Sequence, residues 1–188
     1  MGYIGLPTAI IAAKHGVQIT GVDINPKVVE MTNAGHLHIV EPGIEEMLKE
    51  VLETGMLKAS TTPETADAYF MVVPTPFKGN HEPDISYVEA ATRAVLPFLK
   101  EGDLYVIEST SPVGTTEQMA HLIFAERPEL KGKIYIAYCP ERILPGNVIY
   151  ELVHNDRVIG GLDEVSTDKA IEFYSQFVQG KLHKTNAR

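Results

Sequence analysis

The stretch MGYIGLPTAIIAAKHG, residues 1–16, decides how the rest of the chain is read. Gly2, Tyr3, Ile4 and Gly5 have the spacing of the second and third glycines of the dinucleotide fingerprint G-x-G-x-x-G, and an apolar run suited to the helix opened by such a turn follows them. The first glycine of that fingerprint, and the strand before it, would lie upstream of Met1. A glycine at a strand-to-helix turn lets the backbone approach a pyrophosphate, and the helix start offers unpaired N–H groups and a positive dipole end. Working outward, VQITGVD at residues 17–23 reads as the next strand. Asp23 closes it at roughly the 20-residue offset where an acid accepts hydrogen bonds from an adenosine ribose. A carboxylate there repels the extra phosphate of NADP, so the expected cofactor is NAD.

The remaining chain alternates short apolar runs with helix-period segments, the pattern of a parallel sheet with crossover helices. Asn25-Pro26 supplies an N-cap and a first-turn proline for a helix to about residue 34. Apolar positions at 44, 47, 48, 51 and 52 form a helical stripe that Gly55 ends. Strands are predicted at 68–76, 104–110, 134–141 and 156–161. A Ser86 capping box starts a helix to about residue 100, another begins near Thr115, and 163–178 reads as helical. The expected fold is α/β: a single Rossmann-like, doubly wound, mostly parallel sheet lacking its first strand. Its polar segments fall just after strand C-termini, the edge where open α/β sheets bind ligands.

A chain of 188 residues is long enough to bury a core, and 44% hydrophobic content places it among soluble globular proteins. No apolar run approaches the roughly 20 residues that cross a bilayer, and the N-terminus lacks a signal peptide's basic region, so no membrane partner and a cytoplasmic location are expected. A net charge of -9 without a Lys/Arg cluster argues against a nucleic-acid partner. The lone Cys139 rules out an internal disulfide. His36, His38 and Glu41 could converge on a metal if their segment were extended, but a polar loop around Pro42-Gly43 is favoured and no metal is expected.

Six motifs occur in one order across essentially the whole chain: GYIGLPTA, GVDIN, VPTPF, ESTSPVGTTE, CPERILPG and NDRVIGG. Together they resemble the N-terminal, NAD-binding half of the UDP-glucose/UDP-mannose dehydrogenase family, whose members oxidise a nucleotide sugar to its uronic acid. The resemblance implies two successive oxidations at C6, with hydrides passing to two NAD molecules and a cysteine holding the intermediate as a thiohemiacetal and then a thioester. Such a scheme needs a thiolate, a cation for the developing oxyanion and a group that handles water. By motif, Tyr3 and Ile4 would line the pyrophosphate turn, Asp23 would hold the ribose, and Thr75 would approach the cofactor from the next loop. Thr110 would orient a water and Thr116 would contact the cofactor. Glu141 would handle water in thioester hydrolysis, while Arg142 and Ile143 would touch the sugar nucleotide. Local backbone bonding by Thr110 and Thr116, and a solvated Glu141–Arg142 pair, are the plainer alternatives. Cys139, at the end of an apolar strand, reads as a small buried residue.

In the glucose members of the family, the loop after the catalytic glutamate carries a second acid at the place of Pro145. The resemblance therefore points to the N-acetyl-hexosamine branch, with UDP-N-acetyl-D-mannosamine as substrate and surface polysaccharide as destination. A UDP-glucose 6-dehydrogenase and a non-catalytic nucleotide-binding or dimerisation module are the alternatives, with a methyltransferase more remote. The residues 185–188 resemble the entry to the family's long central helix, around which the complete protein would form a homodimer. The chain is therefore expected to be a fragment truncated at both ends, without the second, cysteine-bearing domain and inactive by itself.

Overall fold

The computed structural model describes residues 1–39, 41–79, 81–144 and 146–187. In chain order come α1 (Gly5–Lys14), β1 (Ile19–Val22), α2 (Pro26–Asn33), α3 (Ile44–Glu53) and β2 (Leu57–Ser60). They are followed by β3 (Ala68–Met71), a short hairpin of β4 (Phe77–Lys78) and β5 (Glu82–Pro83), α4 (Ser86–Val95), β6 (Leu104–Ile107) and α5 (Thr115–Glu126). Last are β7 (Tyr135–Tyr138), α6 (Val148–His154), β8 (Arg157–Gly161), α7 (Glu164–Tyr174) and β9 (Leu182–Asn186).

The chain divides into two compact units. The first holds Met1–Pro63, Arg142–Asn155 and Gln176–Gly180. Its β1 and β2 pair in parallel, Ile19 opposite Leu57 and Val22 opposite Ser60. Leu6, Ile10 and Ala13 of α1 close a core with Ile44, Leu48 and Val51 of α3 and Leu57 of β2. The local signals act as expected: the Asn25 side chain accepts from the Lys27 N–H at 3.1 Å, Pro26 opens α2, and Gly55 at φ 71° follows α3. The backbone N–H and carbonyl groups of residues 57 and 59 face away from β1, and Asn33 serves that outer side. Its Nδ2 donates to the Ala59 carbonyl at 2.9 Å and its Oδ1 accepts the Ala59 N–H at 2.8 Å.

The second unit holds Glu64–Glu141, Asp156–Ser175 and the residues from Lys181 onward. Its five-stranded sheet runs β3-β6-β7-β8-β9, parallel except where β8 meets β7. Tyr105 and Ile107 of β6 sit at the centre of a core shared with Met71, Val88, Met119, Ile123 and Ile136. The expected mixed α/β class with a mainly parallel sheet is what the two units display.

Several sequence expectations are corrected. The strand predicted over 68–76 ends at Met71. Beyond it, Ser109 Oγ accepts the Val73 N–H at 2.8 Å and donates to the Val73 carbonyl at 2.6 Å, so a side chain takes over the backbone pairing. Ser86 is not an N-cap: Ile85 holds that position, and the Asp84 carboxylate accepts the Ser86 N–H at 2.9 Å. Thr185 and Asn186 do not enter a helix but belong to β9, where they pair with Gly160 and Gly161. The reason lies in those glycines, because a Cβ at Gly160 would collide with the Asn186 carbonyl. The strands β2 and β9, the hairpin and α6 had no counterpart in the sequence reading.

Candidate functional site

In the first unit, α1 begins at Gly5 with Ile4 as N-cap, and no side chain caps its first turn. The Leu6 N–H returns to the Gly2 carbonyl at 3.1 Å, which tightens the turn, and a Cβ at Gly2 would meet nothing within 4 Å. A bare backbone thus lies beside an uncapped helix start, an arrangement that suits a phosphate anion.

Asp23 lies next to this turn, just after β1. Its Oδ1 accepts the Asn25 N–H at 2.8 Å and its Oδ2 accepts from the Met1 amino group. Burial works against its charge, but the amino group and the Asn25 N–H outweigh that and hold the carboxyl below its ordinary value. Asp23 is therefore an anion with lone pairs to spare, since a carboxylate offers about four acceptor positions. Turn and acid together fit a pyrophosphate and a ribose diol, so the residues present fit NAD.

Tyr3, from the same turn, reaches the loop that carries Arg142 and Ile143. The Gly146 N–H is shared between Glu41 Oε1 at 2.7 Å and the Tyr3 hydroxyl at 3.3 Å. Glu151 Oε2 accepts the Leu144 N–H at 3.0 Å from the other side. The loop is thus pinned at two backbone positions, with the Arg142 side chain exposed and Ile143 half-buried. Glu41, considered as a metal ligand with His36 and His38, has its carboxylate turned to Gly146. Pro145, on which the choice of sugar branch rested, lies outside the described residues.

In the second unit the loops after β3, β6 and β7 meet at the C-terminal ends of parallel strands. The Thr75 hydroxyl donates to the Thr110 carbonyl at 2.7 Å, and the Tyr138 hydroxyl accepts the Ser111 N–H at 3.1 Å. Thr110 is exposed at this edge, whereas Thr116 is buried in the first turn of α5 at 2% exposure. It is Thr115, not Thr116, whose hydroxyl bonds the local backbone, donating to the Pro112 carbonyl at 2.8 Å. The Glu141 N–H donates to the Glu108 carbonyl at 3.2 Å, which ties its loop to the end of β6.

The Glu141 side chain is not a solvated one. Its Oε2 accepts from Arg157 Nη1 at 2.7 Å, and the two side chains are only 11% and 4% exposed. Burial works against the Arg157 charge, but the Glu141 carboxylate outweighs it and leaves the guanidinium more firmly protonated than usual. Cys139 is fully buried beside this pair, and burial pushes its thiol up to about 12. Such a thiol stays protonated at any physiological pH and cannot serve as a nucleophile. Sequence reasoning missed Arg157, Glu108 and Tyr174. For two of them a signal was present, because Arg157 in DRVIGG and Glu108 in LYVIEST are charged residues beside apolar strand positions.

Among the described residues no helix is long and apolar enough to cross a membrane. Residues 1–178 match the family described as UDP-glucose/GDP-mannose dehydrogenase, NAD binding domain. The UDP-N-acetyl-D-mannosamine dehydrogenase of Campylobacter jejuni is 52% identical across 100% of this chain and 48% of its own length. A solved UDP-N-acetyl-mannosamine dehydrogenase from S. aureus superposes with a TM-score of 0.94 at 42% identity, covering 100% of this chain and 46% of that one. A UDP-glucose dehydrogenase from Pyrobaculum islandicum gives 0.88 at 34% identity, covering 100% and 45%. The chain thus spans about half the length of the curated relatives it matches. The glycine turn, the acid after the next strand and a match running through nearly all its residues agree: the chain belongs to the UDP-glucose/GDP-mannose dehydrogenase family, of which it carries the NAD-binding domain.

Proposed function

We propose that the chain is the cofactor-binding and water-handling part of a cytoplasmic, homodimeric UDP-N-acetyl-D-mannosamine 6-dehydrogenase. The observation that carries this reading is the uncapped start of α1 with the Asp23 carboxylate beside it. The names of relatives near 50% identity support the choice of sugar. NAD, when bound, supplies the hydride acceptor for oxidation at C6. The chain's own residues do the rest of what falls to this half. Gly2, Tyr3, Ile4 and Gly5 hold the pyrophosphate on backbone N–H groups, and Asp23 accepts the ribose hydroxyls and rejects a 2′-phosphate. Thr75 and Thr116 are assigned to the cofactor side, and Thr110 orients a water. Glu141 takes the proton of the water that cleaves the acyl intermediate, and Arg142 and Ile143 contact the sugar nucleotide. The thiol that forms that intermediate is not Cys139, and it is expected in the part of the relatives' length not matched here.

Calorimetric titration of the chain with NAD and with NADP tests the cofactor half of the reading. NAD should bind in preference to NADP, and Asp23→Ala should weaken NAD by about tenfold, as loss of a charged hydrogen-bond acceptor does. Equal binding of both dinucleotides, unaffected by Asp23→Ala, would overturn it. In the complete protein, NADH production from UDP-N-acetyl-D-mannosamine should exceed that from UDP-glucose, and the reverse preference would move the assignment to the glucose enzymes.

A further inference from the structure

Behind Glu141 lies a closed set of titratable groups drawn from every element packed there. They are Glu108 at the end of β6, Cys139 after β7, Arg157 on β8 and Tyr174 on α7. Glu108 is 1% exposed, Arg157 4%, and Cys139 and Tyr174 are fully buried. The Tyr174 hydroxyl donates to Glu108 Oε1 at 2.5 Å, and the Arg157 guanidinium lies 5.1 Å from the centre of the Tyr174 ring. Glu108 Oε2 has no hydrogen-bond partner among the described residues. One buried cation therefore faces two carboxyl groups, Glu141 partly exposed at the sheet edge and Glu108 enclosed behind it. Ionising both would leave a net negative charge in the interior, and a buried charge without hydrogen bonds is strongly disfavoured. Glu141 has the direct contact with Arg157, whereas Glu108 has an orphaned oxygen and a neutral phenol. Burial accordingly raises the Glu108 carboxyl above its ordinary value despite Arg157 and Tyr174.

We propose that Arg157 is the positioning residue of Glu141, and that Glu108 serves as a neutral strut which, through Tyr174, keeps the guanidinium aimed at Glu141. This rests on the reading of Glu141 as the water-handling base. An ionised Glu108 would compete for the guanidinium and loosen its hold on Glu141. A neutral one leaves the single positive charge to the carboxylate at the sheet edge.

Two spectroscopic readouts on the chain itself decide whether this positioning exists, independently of turnover. The carbonyl-stretch band of a protonated carboxylic acid should persist at neutral pH and vanish in Glu108→Gln. The carboxyl NMR signal of Glu141, assigned by its loss in Glu141→Gln, should move in Glu108→Ala and in Arg157→Lys but return to its native position in the neutral isostere Glu108→Gln. Should Glu108→Ala fail to fold, Glu108→Gln and Arg157→Lys still give both readouts. Absence of the band, or a Glu141 signal as disturbed by Glu108→Gln as by Arg157→Lys, would overturn the proposal. In the complete dehydrogenase, Arg157→Lys should lower kcat by about tenfold or more while leaving KM for the sugar nucleotide in place, the pattern of a misaimed reacting group. A fall confined to KM would also overturn it. Undiminished turnover by Glu141→Gln would instead refute the water-handling role of Glu141, a result distinct from either spectroscopic failure.

Discussion

Glu108 links burial to pH in a way that a titration can read. Its carboxyl is raised above its ordinary 4.5 by burial, so the folded chain keeps a proton that the unfolded chain has released. Stability from this group is complete below the unfolded value and is lost as pH rises toward the folded one, by about 1.4 kcal/mol per pH unit across that window. Glu108→Gln has no proton to release there. Chemical denaturation at successive pH values should therefore give a flatter dependence for the variant, and identical slopes would mean that Glu108 is ionised in the folded chain. At this scale the sequence was legible where a residue acts alone. Asn25 and Cys139 have the surroundings their neighbours in sequence suggest. Glu108, Arg157 and Tyr174 are separated by tens of positions, and only the sheet brings them to one point.

Between residues and fold, the elements with strong local chemistry were the readable ones. Asn25-Pro26 marked the start of α2, and Asp163 caps α7 by accepting the Ser166 N–H at 2.7 Å. The misreadings arose where a contact from elsewhere, or a nearer competitor, replaces the expected one. Ser109 ends β3 early from 36 positions away, and at α4 the Asp84 carboxylate, two positions before Ser86, accepts the N–H of Ser86. Strand β9 was missed because LHKTN has no apolar alternation; it pairs because β8 presents glycines to it. Gly160→Ala tests that dependence. The new methyl must push Asn186 away, and overpacking of this kind costs about 1–3 kcal/mol. The expected signature is a lower denaturation midpoint together with faster hydrogen exchange at the Ala187 amide, which in the native chain donates to the Gly161 carbonyl at 3.1 Å. A lower midpoint with unchanged exchange there would place the strain elsewhere.

For the molecule as a whole, the α/β class and the mainly parallel pairing followed from the alternation of apolar runs with helical stripes. The antiparallel step between β7 and β8 did not, because nothing in DRVIGG records a direction. A net charge of -9 disperses copies of such a protein, yet a parallel sheet also has edges that invite another chain. On β2 the Asn33 amide occupies the outward N–H and carbonyl of Ala59 as a neighbouring strand would. Asn33→Ala removes both bonds, and the loss should cost about 1–3 kcal/mol in denaturation experiments. Its larger effect should be concentration-dependent: light scattering is expected to rise with protein concentration in the variant and stay flat in the native chain. Equal scattering from both would assign Asn33 to stability alone. On the first outcome, a single carboxamide at the end of α2 acts as a stopper on sheet growth, holding the place that a strand of another copy would take.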